Sequence, residues 1–329
     1  MNQWHMMVGL AWVMVLGAAA RAEKAPAADP AKVDADYAIQ GEYAGEMPGD
    51  QGKTVKIGAR VIALGEGKFH AVGFVGGLPG EEGWIPLEKL PEADGQMKDG
   101  AAVFATERAT VTIKDGALTV VNLDGQEVAK LKKVERKSPT LGAKPPEGAM
   151  VLFDGKNVDQ WKGGRMTEEG LLMEGTETNR NFKDCSLHLE FRIPYEPKNR
   201  GQGRGNSGCY MMGRYETQIL DSFGLPPKDN ECGGIYTVSV PKVPMSFPPL
   251  TWQSYDIDFT APMFDADGKK TRNATLTVKH NGVLIHDHVE VPGATTAAPY
   301  KESPDAGPIY LQNHGNPVRF RNIWVVEKK

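Results

Sequence analysis

The chain has 329 residues, of which 40% are hydrophobic and 24% charged, and it contains 38 glycines and 23 prolines. So many turn-forming residues, with Val, Ile, Thr and aromatic residues in short runs, favour an all-β protein, and the length suggests two domains. The net charge of −4 and the pI of about 6.0 give no basic stripe of the kind that nucleic-acid binding requires, so no nucleic-acid partner is expected.

The first apolar segment, residues 8–20, is typical of the hydrophobic part of a signal peptide, although residues 1–7 lack the usual Lys or Arg. It ends at Ala20-Arg21-Ala22, a cleavage-site pattern of small residues. The segment is too short to span a bilayer comfortably, and no later one is apolar enough to be transmembrane. We therefore expect a signal peptide at 1–22, a flexible lead at 23–36 and an exported protein, periplasmic or extracellular, that is not an integral membrane protein.

Residues 37–137 are predicted to form a small β-domain. They contain six short alternating runs, and Asp115-Gly116 and Asp124-Gly125 are typical of two-residue hairpin turns of type I′. The runs indicate meandering hairpins and carry no motif with recognisable chemistry, so a structural or accessory role is expected. A proline-rich linker at residues 138–148 follows the domain.

A second domain is predicted over residues 149–329. Nine short strand-like runs lie between Leu171 and Val326, and Asn281-Gly282 is a strong hairpin signal. No convincing amphipathic helix interrupts the series. Many short strands with one solvated face are typical of a two-sheet sandwich of jelly-roll type.

The three cysteines, Cys185, Cys209 and Cys232, have no spacing typical of a zinc site. Cys209 and Cys232 could form a disulfide that closes a modest loop. Because Cys185 and Cys209 lie inside strand-like runs, the favoured interpretation is that all three are small buried hydrophobic residues.

The strongest chemical signal lies in residues 201–224, where a glycine-rich turn containing Asn206 precedes two strand-like runs. In the second run, Glu216 and Gln218 are two residues apart and point to the same face, roughly 6.6–6.8 Å apart along it. Asp221 has the opposite parity, so it joins that face only if a bulge or the strand end redirects it. A Glu, a Gln and an Asp behind a flexible glycine loop indicate a candidate active site.

Another strand-like run carries a polar row of His188, Glu190 and Arg192 on one face. The row is either an ordinary solvated sheet surface or, if its strand lies beside that of Glu216, part of one concave polar floor. Both interpretations remain open at this point.

A polar set also alternates along the penultimate strand-like run. Tyr310 and Gln312 share one face, and His314 follows with the same parity. His314 is either a turn residue bonded to backbone or a functional residue, and the functional interpretation is slightly favoured.

Several segments of the second domain resemble the 3-keto-disaccharide hydrolase domain family. Residues 151–161, VLFDGKNVDQW, are similar to the LFDGK-x-L-x-x-W motif that begins this family, and further motifs follow in the same order over essentially all of 149–329. These motifs are the segments 182–192, 205–208, 215–222, 231–236, 252–256, 280–283 and 311–324. The resemblance implies a concanavalin-like two-sheet jelly-roll sandwich that acts on 3-keto glycosides or disaccharides, with residues 37–137 as an extension that some members carry.

The resemblance also places a site on the Glu216 strand, where glucanases of this fold carry a Glu, an Asp and a second Glu. Here the middle position is Gln218 and the last is Asp221. The ordinary retaining mechanism needs two carboxyls about 5–5.5 Å apart, so these departures argue against it. A ketone at C3 acidifies the C2 hydrogen and permits another route, in which proton abstraction is followed by elimination of the C1 leaving group and hydration of the enone.

This route requires a base, a stabiliser for the enolate and an acid for the leaving oxygen. Glu216 or His314 is the candidate base, and Asp221 is a third catalytic candidate. The remaining members of the expected floor are assigned to substrate binding or enolate stabilisation: Glu190, Arg192, Asn206, Gln218, Tyr236, Gln312 and His188. No cluster of ligands requires a metal, so no cofactor is predicted, although a divalent cation could assist the enolate.

The expected function is an exported glycoside-cleaving enzyme with a small-molecule or oligosaccharide substrate. The same fold also hosts lectins, so a non-catalytic carbohydrate-binding module is the alternative, and a structural or adhesion domain is a third interpretation. Cleavage of only the oxidised disaccharide would indicate the enzyme, and saturable sugar binding without product would indicate the module.

Overall fold

The computed structural model describes residues 33–49 and 52–328. The predicted signal peptide at 1–22 lies outside the described residues, as does most of the predicted lead at 23–36. Within the described ranges, a four-residue helix, α1 at Asp36–Ile39, precedes 22 strands. No helix in this part of the chain is long and apolar enough to cross a membrane.

Eight strands form a closed antiparallel barrel in which each strand pairs with the next and the eighth returns to the first. Alternate side chains point inward, so that Tyr43, Phe69 and Phe104 are fully buried. Asp115-Gly116 has positive φ at both residues, as a type I′ turn requires. The predicted two-residue turn at Asp124-Gly125 is wrong, because it lies in a four-residue connection between Asn122 and Glu127. The strands are β1 (Gly41–Pro48), β2 (Thr54–Gly65), β3 (Lys68–Val75), β4 (Glu92–Lys98), β5 (Ala101–Ala105), β6 (Ala109–Lys114), β7 (Ala117–Asn122) and β8 (Glu127–Val134).

The rest of the chain folds as a concanavalin-like sandwich of two antiparallel sheets. Its strands are β9 (Met150–Phe153), β10 (Trp161–Lys162), β11 (Leu172–Met173), β12 (Thr176–Thr178), β13 (Cys185–Arg192), β14 (Ser207–Met211), β15 (Tyr215–Ile219), β16 (Trp252–Thr260), β17 (Met263–Phe264), β18 (Lys270–Arg272), β19 (Ala274–His280), β20 (Val283–Val291), β21 (Tyr310–Leu311) and β22 (Arg319–Glu327). The five-stranded sheet has the order β10-β12-β21-β14-β15. The seven-stranded sheet has the order β11-β22-β13-β16-β19-β20, with β9 paired to β22, and β17 and β18 form a separate hairpin.

The sandwich core lies between these two sheets. Phe191 of the larger sheet and Met211 of the smaller one belong to the same buried cluster. The three cysteines, Cys185, Cys209 and Cys232, are buried members of it and are free thiols. Their interpretation as small buried hydrophobic residues is therefore confirmed, and Cys209 and Cys232 do not form a disulfide.

Side chains of the sandwich complete the core of the barrel. Tyr195 and Leu250 pack among the buried residues of the barrel, and the ring of Tyr195 meets that of Tyr37 edge to face at 5.1 Å. The Tyr195 hydroxyl donates to Asp34 Oδ1 at 2.8 Å, and the Tyr37 hydroxyl donates to the Pro249 carbonyl at 3.1 Å. The barrel and the sandwich thus share one hydrophobic cluster.

A buried arginine makes a second junction between barrel and sandwich. Arg60 forms an ion pair with Glu42 at 3.0 Å and donates to the Pro244 carbonyl at 2.9 Å. Its guanidinium also lies over the rings of Phe74 and Phe223, at 5.6 and 5.4 Å. Because a buried charge is stable only when it is paired and hydrogen-bonded, these contacts fix the barrel against the loops of the sandwich.

Candidate active site

One face of the five-stranded sheet points away from the core and carries polar side chains. Cys209 and Met211 point into the core, and because side chains alternate along a strand, Gly208 and Tyr210 point to the opposite face. Cross-strand pairing places Glu216 opposite Tyr210 on that face. The face is named the polar floor here, and its members are Tyr210, Glu216, Gln218, Tyr310 and Gln312.

Glu216 is the buried acid of the polar floor, with 2% of its surface exposed. Burial raises the pKa of Glu216 to about 8, although a hydrogen bond from Tyr210 opposes the rise. Within the described residues no Lys or Arg forms an ion pair with it. A carboxyl with this pKa is mostly protonated at neutral pH, and its ionised form is a stronger base than an ordinary carboxylate.

The neighbouring strand β14 holds the Glu216 carboxyl in place. A Cβ at Gly208 would lie 2.2 Å from Glu216 Oε1, so only glycine lets the carboxyl rest against this strand. The Tyr210 hydroxyl hydrogen-bonds the carboxyl and accepts a bond from Gln312 Nε2 at 3.1 Å. Burial, with the nearby Glu216 charge, raises the pKa of Tyr210 far above its usual value, so the phenol remains a donor at physiological pH.

Two amide side chains, those of Gln202 and Asn206, border the polar floor beside Gln218. Gln202 Oε1 accepts bonds from Asn206 Nδ2 at 3.0 Å and from Gln218 Nε2 at 3.2 Å. Gln202 Nε2 donates in turn to the Asn230 carbonyl at 2.8 Å. This leaves Asn206 Oδ1 and Gln218 Oε1 buried without a partner among the described residues. Since buried acceptors are nearly always satisfied, these two oxygens, both closed to solvent, mark positions that need a donor from outside the described residues.

Tyr236 lies beside the polar floor, as the sequence indicates. Its backbone N–H donates to the Glu216 carbonyl at 3.2 Å. Burial and the Glu216 charge are the main causes of the raised pKa of Tyr210, and the phenols of Tyr310 and Tyr236 contribute, so both phenols lie within electrostatic range of Tyr210. The Tyr236 side chain is half-buried and can therefore meet a ligand.

His314 lies at the edge of the floor and not inside it. Its side chain is exposed in the turn that follows β21 and Gln312. In the same turn, Asn316 Nδ2 donates to Glu196 Oε2 at 2.7 Å and to the Gly203 carbonyl at 3.2 Å, which ties the turn to the glycine loop. The structure thus leaves His314 accessible to a ligand, while the described contacts of Glu216 do not include it.

Asp221 belongs to the junction with the barrel. It forms a buried ion pair with Arg204 Nε at 2.6 Å, and the Arg204 guanidinium also reaches the Ala63 carbonyl at 3.4 Å. The suggestion that the strand end redirects Asp221 onto the Glu216 face is therefore wrong, since its parity and its arginine partner hold it elsewhere. As a catalytic candidate it lacks contact with the polar floor.

The row of His188, Glu190 and Arg192 is not part of the polar floor either. Its strand, β13, lies in the seven-stranded sheet between β22 and β16. Leu189 and Phe191 of β13 fill the core, so the polar row points to the outer face of the opposite sheet. The expectation of one shared floor is wrong, because alternation identifies the face of a strand but not the sheet that contains it.

The buried Glu190 binds the linker between the two domains. It accepts bonds from the Gly142 backbone at 2.5 Å, from Arg321 Nε at 2.6 Å and from Asn322 Nδ2 at 2.9 Å. Burial alone would raise the pKa of Glu190, but these bonds and the one from His188 lower it to about 2. Glu190 therefore holds the linker as a paired anion and does not face a ligand.

The two other members of the row, His188 and Arg192, also contact neighbouring side chains on the outer face of the seven-stranded sheet. His188 Nδ1 lies 2.6 Å from Asp256 Oδ1, and its ring stacks on Trp324 at 5.0 Å. Burial alone would lower the pKa of His188, but Asp256 and Glu190 raise it to about 8. The guanidinium of Arg192 lies over the ring of Trp252 at 5.1 Å.

Sequence reasoning missed Tyr210 and Gln202. A signal for Tyr210 was present in part, because β14 and β15 form a hairpin. Its turn contains three residues, 212–214, and counting outward from that turn pairs Tyr210 with Glu216. No comparable signal identifies Gln202, whose role depends on how the glycine loop folds. Within the described residues, no group of three or more His, Cys, Asp and Glu side chains could hold a metal ion.

The comparisons with known proteins agree with this fold. Residues 148–326 match the model of a family described as 3-keto-alpha-glucoside-1,2-lyase-like domain. Among curated proteins, none matches the chain. A crystal structure of a "putative glycosyl hydrolase" from Parabacteroides distasonis ATCC 8503 is 35% identical, with a TM-score of 0.51, and the match covers 56% of this chain and 85% of that chain.

A second "putative glycosyl hydrolase" of known structure from the same organism is 21% identical, with a TM-score of 0.40, over 56% of this chain and 95% of that one. The family match spans more than half of the chain and contains every residue of the polar floor. The chain therefore belongs to the 3-keto-alpha-glucoside-1,2-lyase-like domain family.

Proposed function

We propose that this protein cleaves 3-keto glycosides, including 3-keto disaccharides, by proton abstraction next to the ketone, elimination and hydration. The observation that carries the proposal is the buried Glu216, whose raised pKa and Tyr210 partner suit a base in a largely desolvated site. Family membership and the likeness to a "putative glycosyl hydrolase" support a glycoside as the substrate.

The reaction begins when the Glu216 carboxylate removes the C2 hydrogen as a proton. The electron pair of the C2–H bond moves toward C3 and places the charge on the C3 oxygen as an enolate. When the C3 carbonyl re-forms, the C1–O bond breaks, its electron pair leaves with the glycosidic oxygen, and a C1=C2 double bond remains. The leaving oxygen takes up a proton, and water then adds OH to C1 and H to C2, so the net result is hydrolysis.

Glu216 suits this role because the C2 hydrogen is a weak acid. A base with a pKa of about 8 is closer in pKa to that hydrogen than an ordinary carboxylate is, so proton transfer to it is less unfavourable. Tyr210 orients the carboxyl. The second amide hydrogen of Gln312 and the half-buried phenol of Tyr236 are our candidates for binding the enolate oxygen and the leaving oxygen. His314 remains a second candidate base at the edge of the floor.

Of the two roles that the sequence suggests for Asn206 and Gln218, orientation of the sugar suits their amides better than stabilisation of the enolate. Their N–H groups are bonded to Gln202, so the atom that each leaves without a partner among the described residues is an oxygen. An acceptor repels an enolate but binds a sugar hydroxyl. We therefore assign both residues to substrate orientation and not to enolate stabilisation.

The arrangement of carboxyls favours this route over a retaining displacement, which needs a second carboxyl about 5–5.5 Å from the first. Asp221 is paired with Arg204. The other carboxyl in the cross-strand row of Glu216 is Glu177, which lies three strands away, or about 14 Å at the usual strand spacing.

The proposal is tested by incubating the purified protein with maltose and with 3-keto-maltose, and by following both cleavage and exchange of the C2 hydrogen in D2O. We expect cleavage and exchange with the oxidised sugar alone. Glu216→Gln should abolish both, while Glu168→Gln, which changes an exposed residue away from the polar floor, should not. Unchanged turnover in Glu216→Gln would refute the assignment, and saturable binding without any product would favour a carbohydrate-binding module.

We also propose that the protein is exported, on the basis of the apolar segment at residues 8–20 and the Ala20-Arg21-Ala22 pattern. Mass spectrometry of the protein from periplasmic and medium fractions should find a chain that begins at residue 23. A full-length chain confined to the cytosol would contradict this prediction.

A further inference from the structure

A single row of side chains crosses the whole five-stranded sheet from the Glu216 site to the opposite edge. The pairing places Glu216 opposite Tyr210, Tyr210 opposite Tyr310, Tyr310 opposite Glu177, and Glu177 opposite Lys162. Directly opposed residues lie on the same face of a sheet. With strands about 4.8 Å apart, Glu177 is about 14 Å and Lys162 about 19 Å from Glu216.

A cavity of about 280 Å³ lies at the far end of this row. Its lining includes Lys162, Glu177, Asn179, Asn181 and Tyr300, together with Arg214 from the hairpin turn that precedes Glu216. The cavity is thus built from the polar face of the same sheet and from the segment around residue 300 that covers its edge. No step of the proposed reaction uses it.

The charged side chains of the cavity, Lys162, Glu177 and Arg214, form hydrogen bonds within the protein. Glu177 Oε1 accepts a bond from Lys162 Nζ at 2.9 Å, and Glu177 Oε2 accepts one from the Tyr300 hydroxyl at 2.6 Å. Arg214 donates to the carbonyls of Lys301 and Asp305, at 2.7 and 2.8 Å, which holds the covering segment in place. Because Lys162 is neutralised by Glu177 and the donors of Arg214 are taken up by Lys301, Asp305 and Ser303, the cavity suits a neutral polyhydroxyl ligand better than a phosphate or a carboxylate.

A series of phenols connects the cavity to the Glu216 site. The rings of Tyr210 and Tyr310 lie 5.5 Å apart. The hydrogen bond to Glu177 is the main cause of the raised pKa of Tyr300, and the nearby Tyr310 phenol contributes to it. Tyr310 is half-buried and Tyr300 is exposed, so the cavity end of this aromatic path is open to solvent, while Tyr210 at the other end is fully buried. Aromatic faces beside hydrogen-bonding groups are surfaces on which sugar rings can pack.

We propose that the cavity at Lys162, Glu177 and Tyr300 is a second sugar-binding subsite, which takes a more distant unit of an oligosaccharide whose oxidised unit lies at Glu216. This inference rests on the proposed function, because it takes the Glu216 end as the site of cleavage. A distance of three to four strands exceeds one sugar ring and matches a short oligosaccharide. The protein should therefore prefer a trisaccharide to a monosaccharide glycoside.

The test is calorimetric binding of methyl glucoside, maltose and maltotriose, and of their 3-keto derivatives, to the Glu216→Gln protein, in which cleavage is blocked. We expect affinity to rise about tenfold or more from the monosaccharide to the trisaccharide. Glu177→Gln and Lys162→Ala should each remove most of that rise. The ratio of the trisaccharide affinity to the monosaccharide affinity should therefore fall in both variants. Lys162 is 72% exposed, so its replacement should not prevent folding.

Lys183→Ala, which changes an exposed lysine at a different cavity, is the matched control and should keep the full ratio. Equal affinities for all chain lengths, no binding of any of these sugars, or an unchanged ratio in both cavity variants would overturn the subsite. Length-dependent binding in a protein that never cleaves a 3-keto sugar would sustain the subsite and refute the proposed function. Cleavage of a 3-keto sugar together with equal affinities for all chain lengths would sustain the proposed function and refute the subsite.

Discussion

Replacement of Glu216 by Gln should stabilise the protein at alkaline pH while it removes the proposed activity. The change keeps the shape of the side chain and eliminates its charge. The carboxyl has a pKa of about 8 in place of the ordinary 4.5. Since one pKa unit corresponds to about 1.4 kcal/mol, ionisation of Glu216 in the folded protein costs up to roughly 5 kcal/mol.

The sign of the effect follows from which form the fold prefers. Folding favours the neutral carboxyl, so the stability that Glu216 contributes is fully present below about pH 4.5 and is lost as the pH rises through about 8. The Gln variant has no such loss. The two proteins should therefore have similar free energies of unfolding near pH 4.5, and the variant should be more stable by roughly 3–5 kcal/mol at pH 9.

The measurement is urea unfolding of wild type, Glu216→Gln and the control Glu168→Gln at intervals from pH 4.5 to pH 9. His188, whose pKa of about 8 also lies in this range, titrates alike in all three proteins and disappears from the differences between them. A difference between wild type and Glu216→Gln that stays constant with pH would show that Glu216 is an ordinary solvated carboxyl. Glu216 would then not be the buried base of the site.

Four further outcomes are expected. First, kcat/KM for a 3-keto glucoside should rise with pH toward about 8, as the Glu216 base ionises; a profile that falls over this range would indicate a general acid. Tyr210→Phe should lower kcat and move that profile to higher pH, since the Tyr210 hydrogen bond lowers the pKa of Glu216; an unmoved profile would contradict the contact. Gly208→Ala should abolish activity, because its Cβ would lie 2.2 Å from Glu216 Oε1; full activity would show that the carboxyl does not rest on this strand. Finally, Tyr195→Ala should destabilise the barrel by about 3–5 kcal/mol, as other large-to-small aromatic core changes do, and hydrogen exchange in strands β1–β8 would detect it; unchanged protection would exclude a shared core.

Much of the fold could be predicted because strand periodicity and turn chemistry are local. The runs at Ala109–Lys114 and Ala117–Asn122 and the turn between them occur as the sequence indicates. The strands Gly41–Pro48 and Glu92–Lys98 were missed, since they contain Gly, Pro and many polar residues and owe their extended form to pairing with neighbours. Closure of the barrel depends on these two strands, so it could not be foreseen.

The candidate site could be predicted only in part, for the same reason. The parity of Glu216 and Gln218 is a property of one strand and is confirmed by the pairing. The neighbours of that strand are decided by long-range pairing, which placed β21 and the following Gln312 nearby but put β13 in the other sheet. The orientation of the Asn206 and Gln218 amides depends on Gln202, and no local pattern encodes it.

The buried carboxyls of the protein distinguish Glu216 from residues that serve the fold. Glu42, Glu190 and Asp221 are each paired with an arginine, at 3.0, 2.6 and 2.6 Å, and such pairing is what makes a buried charge tolerable. Glu196 accepts bonds from a backbone amide and an asparagine. Glu216 has a neutral phenol and a glycine as its neighbours, so the fold gains nothing from its charge and is destabilised when it ionises. A buried acid that is costly to ionise, beside two unsatisfied amide oxygens, is expected where selection acts on chemistry, and both features occur at or beside the polar floor.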